Sequence, residues 1–325
     1  MIYGQSQLAV SDARLMVRVA QMYYRMHLTQ AQIGERLGIS RFKVGRLLDR
    51  ALRESTVRIE IVHPEARLVE LEDALVERFG LRGAVVVDVP TALSGQDADA
   101  LARERVAGAA ADHLATVRPT GAIGVSWGRT MLELARQLRP GWTTASEIVQ
   151  LNGATSRSTR PTRATEIVER FGITTGASMR LMPAPAIVGS LDLRLALETD
   201  PSVGETLDAA RTAPTAVFGL GVLSAESVLV ESGYLSEQDR ADLVEAGAVG
   251  DVLGRFLSGD GRIALPQLDR RTVGLPLEEL AAKELTIGLT AGSARGPIAL
   301  AALRAHCINV LITDDRTADW VLRYG

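Results

Sequence analysis

Cysteine and lysine are nearly missing from this chain of 325 residues. The single Cys307 has no partner within the chain, which excludes an internal disulfide and the disulfide-framed folds of small secreted domains. His27, His63, His113 and His306 are too scattered for a metal-ligand pattern, so no metal and no cofactor is expected. Aromatic residues make up only 4%. No apolar run approaches the roughly 20 residues of a membrane span. The opening residues MIYGQSQLAVSDARL show no basic-then-apolar leader, and a cytoplasmic protein without a membrane partner is expected. Lysine is confined to Lys43 and Lys283, every other basic residue being arginine.

What is present is ordinary globular composition, 46% hydrophobic and 23% charged, at a length that suits one large or two moderate domains. The net charge of −3 hides an asymmetry. Residues 1–63 carry ten Arg/Lys and five Asp/Glu, net +5, and the remainder carries −8. Between Ser40 and Arg53 five basic residues face only Asp49. A basic head on an acidic body is the charge pattern of a small module that tracks a phosphate backbone. A solvated helix face would show the same charges.

Spacing in the head is more specific. From Asp12 to Met26 the residues Leu15, Met16, Val19, Met22, Tyr23 and Met26 recur at helical intervals. Thr29 and Gln32 form a capping box for a second helix, whose apolar face runs through Ala31, Ile33 and Leu37 and ends at Gly38. Ser40 caps a third helix that turns Val44, Leu47, Leu48 and Ala51 inward. Gly34 where two helices nearly touch, Gly38 in the turn, Ile39 as a plug, and Val44 and Leu47 as buried positions make up a helix-turn-helix. The outward face of its last helix, with Arg41, Phe42, Gly45, Arg46 and Asp49, is expected in the major groove of double-stranded DNA. Arg41 and Arg46 are the base-contact candidates, and Ser40, Lys43 and Arg50 complete the DNA-binding set. The alternative is a helical interaction module.

After the head, Thr56 to Val62 alternates like a strand, and a helix from Glu65 to Phe79 carries Leu68, Leu71, Leu75 and Phe79 on one stripe, suited to packing on the body or on a second subunit. From Gly83 onward, short apolar runs (Ala84 to Val89, Ala122 to Val125, Ile148 to Leu151, Ala216 to Leu220, Leu285 to Leu289, Val310 to Ile312) alternate with helical stretches. That alternation predicts an α/β domain with a mostly parallel sheet, which binds ligands at the carboxyl ends of its strands. Three loops fall at such ends: Gly124-Val-Ser-Trp-Gly-Arg-Thr130, Leu151-Asn-Gly-Ala-Thr155 and Thr290-Ala-Gly-Ser-Ala-Arg295. The first joins a strand to a helix whose free N–H groups suit a phosphate. Gly247 to Gly254 reads as a glycine-rich stretch in which Asp251 either accepts sugar hydroxyls or is solvated in a turn.

The head Thr29 to Leu48, the loop Gly124 to Thr130, Leu181-Met-Pro-Ala-Pro185, Gly247 to Asp251 and the ending Asn309 to Asp314, in this order, resemble the SorC family of bacterial transcriptional regulators. The resemblance implies an operator-binding domain, residues 1–62, and an effector and oligomerisation domain, residues 63–325. The latter would be Rossmann-like and related to sugar-phosphate isomerases. It also implies a phosphorylated sugar as effector, a dimer or tetramer, and control of a carbohydrate catabolic operon rather than catalysis. Carried over by position, the Gly128-Arg129-Thr130 turn would hold a phosphate, Asn152 and Gly153 would line the pocket, Asp251 would meet hydroxyls, and Ser126 is counted with them among the effector-binding residues. Arg295 stands where the family usually has lysine, exchanging a point charge for a planar guanidinium.

Two enzymatic readings compete. Gly124-Val-Ser126-Trp-Gly128 fits the GxSxG elbow of α/β-hydrolases, but His306 precedes the last expected strand instead of following it, and no HGG sequence occurs. A sugar-phosphate isomerase with a DNA-binding head would have Asp251 as its only evident base.

Overall fold

The computed structural model describes residues 3–54, 56–57, 68–90, 94–156, 158–159, 161–224, 227–292 and 294–325, with side chains from residue 13 onward. The chain divides into two compact units, Met1–Pro64 and Glu65–Gly325. Most of the strand expected over Thr56 to Val62, and the expected domain junction at residues 62–63, lie outside the described residues.

The first unit consists of α1 (Tyr3–Tyr24), α2 (Gln30–Leu37) and α3 (Arg41–Arg53). The capping box at Thr29 forms as its sequence requires: Thr29 Oγ1 accepts from the Gln32 N–H at 3.3 Å, and Gln32 Oε1 accepts from the Thr29 N–H at 2.9 Å. Gly38 ends α2 at φ 65°. A Cβ on Gly34 would lie 2.7 Å from the Ile39 carbonyl oxygen, so only glycine lets the turn close against α2. Met16, Val19, Met22, Ile33, Val44, Leu47, Leu48 and Ala51 form the buried core. Of the other expected core residues, Leu15, Leu37 and Ile39 are partly buried, and Ala31, Tyr23 and Met26 are exposed, Met26 lying beyond the end of α1.

The second unit runs α4 (Val69–Phe79), β1 (Gly83–Val87), α5 (Gly95–Val117), β2 (Gly121–Val125), α6 (Arg129–Gln137), β3 (Ala145–Gln150), α7 (Ala164–Thr175), β4 (Ser178–Arg180), α8 (Leu191–Thr199) and α9 (Pro201–Thr212). It continues β5 (Thr215–Gly221), α10 (Val228–Glu231), α11 (Glu237–Glu245), β6 (Ala248–Val252), β7 (Arg255–Ser258), α12 (Pro266–Asp269), α13 (Leu277–Ala281), β8 (Leu285–Leu289), α14 (Gly296–Arg304), β9 (Val310–Asp314) and α15 (Asp315–Tyr324). The sheet order is β1-β9-β8-β5-β2-β3-β4, every neighbouring pair parallel, with the β6–β7 hairpin added antiparallel to the end of β5.

Alternate strand residues feed two cores. Val85, Val87, Ile123, Val125, Ile148, Val217, Ile287 and Ile312 pack with α5, α6 and α7 on one face. Val86, Val149, Phe218 and Leu311 pack with α4, α14 and α15 on the other. Burial on both faces explains why the strands read as continuous apolar runs. The stripe on α4 belongs to this second core, with Leu75 fully buried and Leu68, Leu71 and Phe79 packed around it. It is therefore used by the body and is not a free face for a second subunit.

Lys283 is a structural cation. Lys283 Nζ donates to the carbonyls of Ala210, Arg211 and Ala213 at 2.6, 3.0 and 2.7 Å, closing the C-terminal end of α9 with a positive charge. Burial pushes its pKa down to about 8.

Candidate functional site

In the first unit, Ser40 Oγ accepts from the Lys43 N–H at 3.2 Å and starts α3. Val44, Leu47, Leu48 and Ala51 are buried; Phe42, Arg46 and Asp49 are exposed on the side away from them, and Arg41 and Lys43 are exposed at its flanks. The Arg41 guanidinium carbon sits over the Phe42 ring, 5.1 Å from its centroid. Arg50 is half-buried and pairs with Glu54 at 2.7 Å, so its charge is partly used within the helix. Gly45 faces α2, where a Cβ would come 3.4 Å from Gln30 Oε1.

In the second unit the chain leaves β2 toward β3 and β4, and leaves β5 in the opposite sense toward β8 and β9. The carboxyl ends of β2 and β5 are thus a topological switch point. A cleft of about 540 Å³ opens there. Ser126 to Met131 line it from β2 into α6, Asn152 from the end of β3, Gly219 to Val222 from β5, Asp251 from β6, and Ala294 and Arg295 from the loop after β8. All three expected strand-end loops therefore contribute to one space.

Each contribution has a local cause. Gly128 precedes α6 at φ 140°, a conformation essentially restricted to glycine, and exposes the first N–H groups of the helix. Arg129 reaches Glu231 at 3.2 Å. Ser126 Oγ accepts from the Gly219 N–H at 3.4 Å and links β2 to β5. Asn152 is 2% exposed, and its Oδ1 has no hydrogen-bond partner among the described residues, although it lies in the wall of a polar cleft. A buried acceptor left open in this way costs free energy until a donor arrives. Gly153 is placed elsewhere: its Cα packs against the backbone of Ala184 and Pro185, and it does not line the cleft.

Asp251 corrects the sequence reading of a glycine-rich turn. Residues Ala248–Val252 are a strand, and the turn is Leu253-Gly254, both at positive φ (56° and 84°), as in a two-residue hairpin. Asp251 is 9% exposed; its Oδ2 accepts from the Gly254 N–H at 2.9 Å. Its Oδ1 occupies the space a Cβ on Gly221 would need, only 2.0 Å away. Burial pushes the carboxyl pKa up to about 6, against the Gly254 N–H and Arg295, which favour the ionised form. Arg295 donates to the Leu220 carbonyl at 3.1 Å. Burial holds its pKa below the ordinary arginine value; Arg103 and Arg129 add to this, and Asp99 and Asp251 oppose it.

Sequence reasoning missed the wall formed by α5, with Gln96, Asp99 and Arg103. The only signal was the i, i+4 pair Asp99 and Arg103, which does not say which loop it will face. With these residues the cleft holds three guanidinium groups and two carboxylates, a balance that favours an anion. No histidine lines it among the described residues.

A helix-turn-helix unit on the same chain as an anion-compatible cleft at a sheet switch point defines a ligand-responsive transcriptional regulator. Residues 63–323 match the Sugar-bind model of a sugar-binding domain, and residues 18–54 match sigma-70 region 4. The chain is 33% identical over 305 residues to the deoxyribonucleoside regulator of Bacillus subtilis (strain 168), covering 94% of this chain and 96% of that protein. It is 31% identical over 321 residues to the transcriptional regulator LsrR of Klebsiella pneumoniae, covering 97% and 94%. The full-length sorbitol operon regulator SorC of Klebsiella pneumoniae superposes with a TM-score of 0.66 at 25% identity, over 96% of this chain and 99% of that one. The chain belongs to this SorC family of sugar-binding transcriptional regulators.

Proposed function

We propose that the second unit senses a phosphorylated sugar or polyol without transforming it, and that the first unit reads operator DNA of a carbohydrate catabolic operon. The carrying observation is the convergence of the three strand-end loops on one cleft that combines a helix N-terminus, a half-buried guanidinium and the open acceptor of Asn152. In this reading the N–H groups after Gly128, the Thr130 hydroxyl and Arg295 hold phosphate. Asn152 and Asp251 accept from sugar hydroxyls. Ser126 serves the cleft by fixing β2 against β5. Phosphate is the anchor, because unpaired N–H donors and the helix dipole both favour an anion. Arg295 offers two parallel donors where a lysine offers one centre of charge.

The regulator acts in the cytoplasm as a homodimer or homotetramer, since one head covers too few base pairs for useful specificity and symmetric assemblies read paired half-sites. Ligand binding shifts the arrangement of heads by its difference in affinity for two states of the assembly.

A thermal-shift screen with sugar phosphates, repeated with the unphosphorylated sugars, tests the anchor, since a ligand of the folded state raises Tm. Calorimetry on Thr130→Ala and Arg295→Ala should then show loss of most of the affinity, and Asp251→Ala a change in which sugar is preferred. Equal affinity for a sugar and its phosphate would remove the anchor, and turnover that disappears with Asp251 would make the protein an enzyme.

A further inference from the structure

We propose that Phe42 reads a thymine, its ring packing against the C5-methyl group in the major groove. The inference rests on the reading that the first unit binds DNA, and adds which base the helix selects. Phe42 is the second residue of α3 and is 72% exposed, more than any other large hydrophobic residue described in the unit. Nothing in the unit's core uses it. It stands among the exposed cations Arg41, Lys43 and Arg46, with Asp49 the only acid on that face. Three cations against one acid on a single helix match a polyanion. The surface around this ring therefore fits DNA.

Within the major groove the base edges offer donors, acceptors and one apolar group, the thymine methyl. A phenyl ring has no other match there. Arg41 lies over the ring and restrains it, so the residue enters the groove with part of its rotamer freedom already given up.

The test begins with selection of binding sites from a randomised duplex library by the full-length protein. Each thymine of the selected site is then replaced singly by deoxyuridine, which deletes only the methyl group. One position per half-site should lose about four-fold in affinity, the transfer of one methyl from an apolar contact to water. Phe42→Ala should bind the thymine and uracil duplexes equally, while Phe42→Leu should keep part of the preference. Because the ring is exposed, both variants should melt like the parent. Indifference of the parent to every replacement, or a thymine preference that survives in Phe42→Ala, would overturn the proposal. So would unchanged DNA binding in Phe42→Ala accompanied by a change in oligomer size, which would make the ring a protein contact. A library in which no sequence is enriched would remove the DNA reading itself, and this inference with it.

Discussion

Asp251→Asn should make the protein more stable at neutral pH and worse at its task. The carboxylate is buried, and its ordinary pKa of 3.8 is raised to about 6 by that burial. At 1.36 kcal/mol per unit, holding the group ionised at pH 7 costs the fold about 3 kcal/mol. Between pH 4 and 6 the folded chain keeps a proton that the unfolded chain has released. Wild-type stability therefore falls as pH rises through this window and is level above it. Asparagine has nearly the same shape and can still accept from the Gly254 N–H, which preserves the Leu253-Gly254 turn. The variant should gain up to about 3 kcal/mol at pH 7, or roughly 5 to 10 °C in Tm, and nothing at pH 4. Urea unfolding at both pH values, followed by calorimetry with whichever sugar phosphate raises Tm, gives the two signs separately. Stability equal to or below that of the parent at pH 7 would refute the view that this carboxylate is kept at a thermodynamic loss. A gain in stability together with weaker ligand binding is the expected signature of a site residue.

Other substitutions separate backbone fit from chemistry. Gly34→Ala forces a methyl against the Ile39 carbonyl and should cost the first unit about 1 to 3 kcal/mol, visible as an earlier, partial melting transition while the second unit is unchanged. Gly45→Ala meets only the flexible end of Gln30, so helix propensity should win by up to about 1 kcal/mol, and because the methyl points toward α2 a gel shift with selected DNA should be unchanged. Lys283→Met leaves three carbonyls at the end of α9 without their donor and should lower the urea midpoint by the equivalent of about 1 to 3 kcal/mol.

Local signals were the legible ones. Thr29, Gln32, Gly34 and Gly38 act within a few residues of one another, and their turn forms as their chemistry requires. The strand expected at Leu285 to Leu289 has those bounds, because a fully buried parallel strand needs nothing more than an apolar run between helices. The hairpin β6–β7 was hidden: its turn is Leu253-Gly254, without the Asn-Gly or Asp-Gly that marks such turns, and its strand AVGDV carries glycine and a buried acid. Gly250 is forced by the approach of the Gly221 carbonyl, a contact between residues far apart in the chain. The cleft was legible as three separate loops. That Arg103 and Asp99 join them depends on the face of α5 that β1, β9 and α6 leave open, which no local pattern encodes.

The scarcity of lysine makes the molecule a ready-made reporter. Lys283 is 8% exposed and has its ammonium tied to three carbonyls, whereas Lys43 is exposed on α3. Apart from the α-amino group, an amine-directed reagent applied to the folded protein should therefore mark the face expected to meet DNA and little else. The rate at which Lys43 is acylated, followed by mass spectrometry with and without duplex, would read occupancy of that face directly. The same measurement repeated with a sugar phosphate would follow the regulator's response without an engineered label.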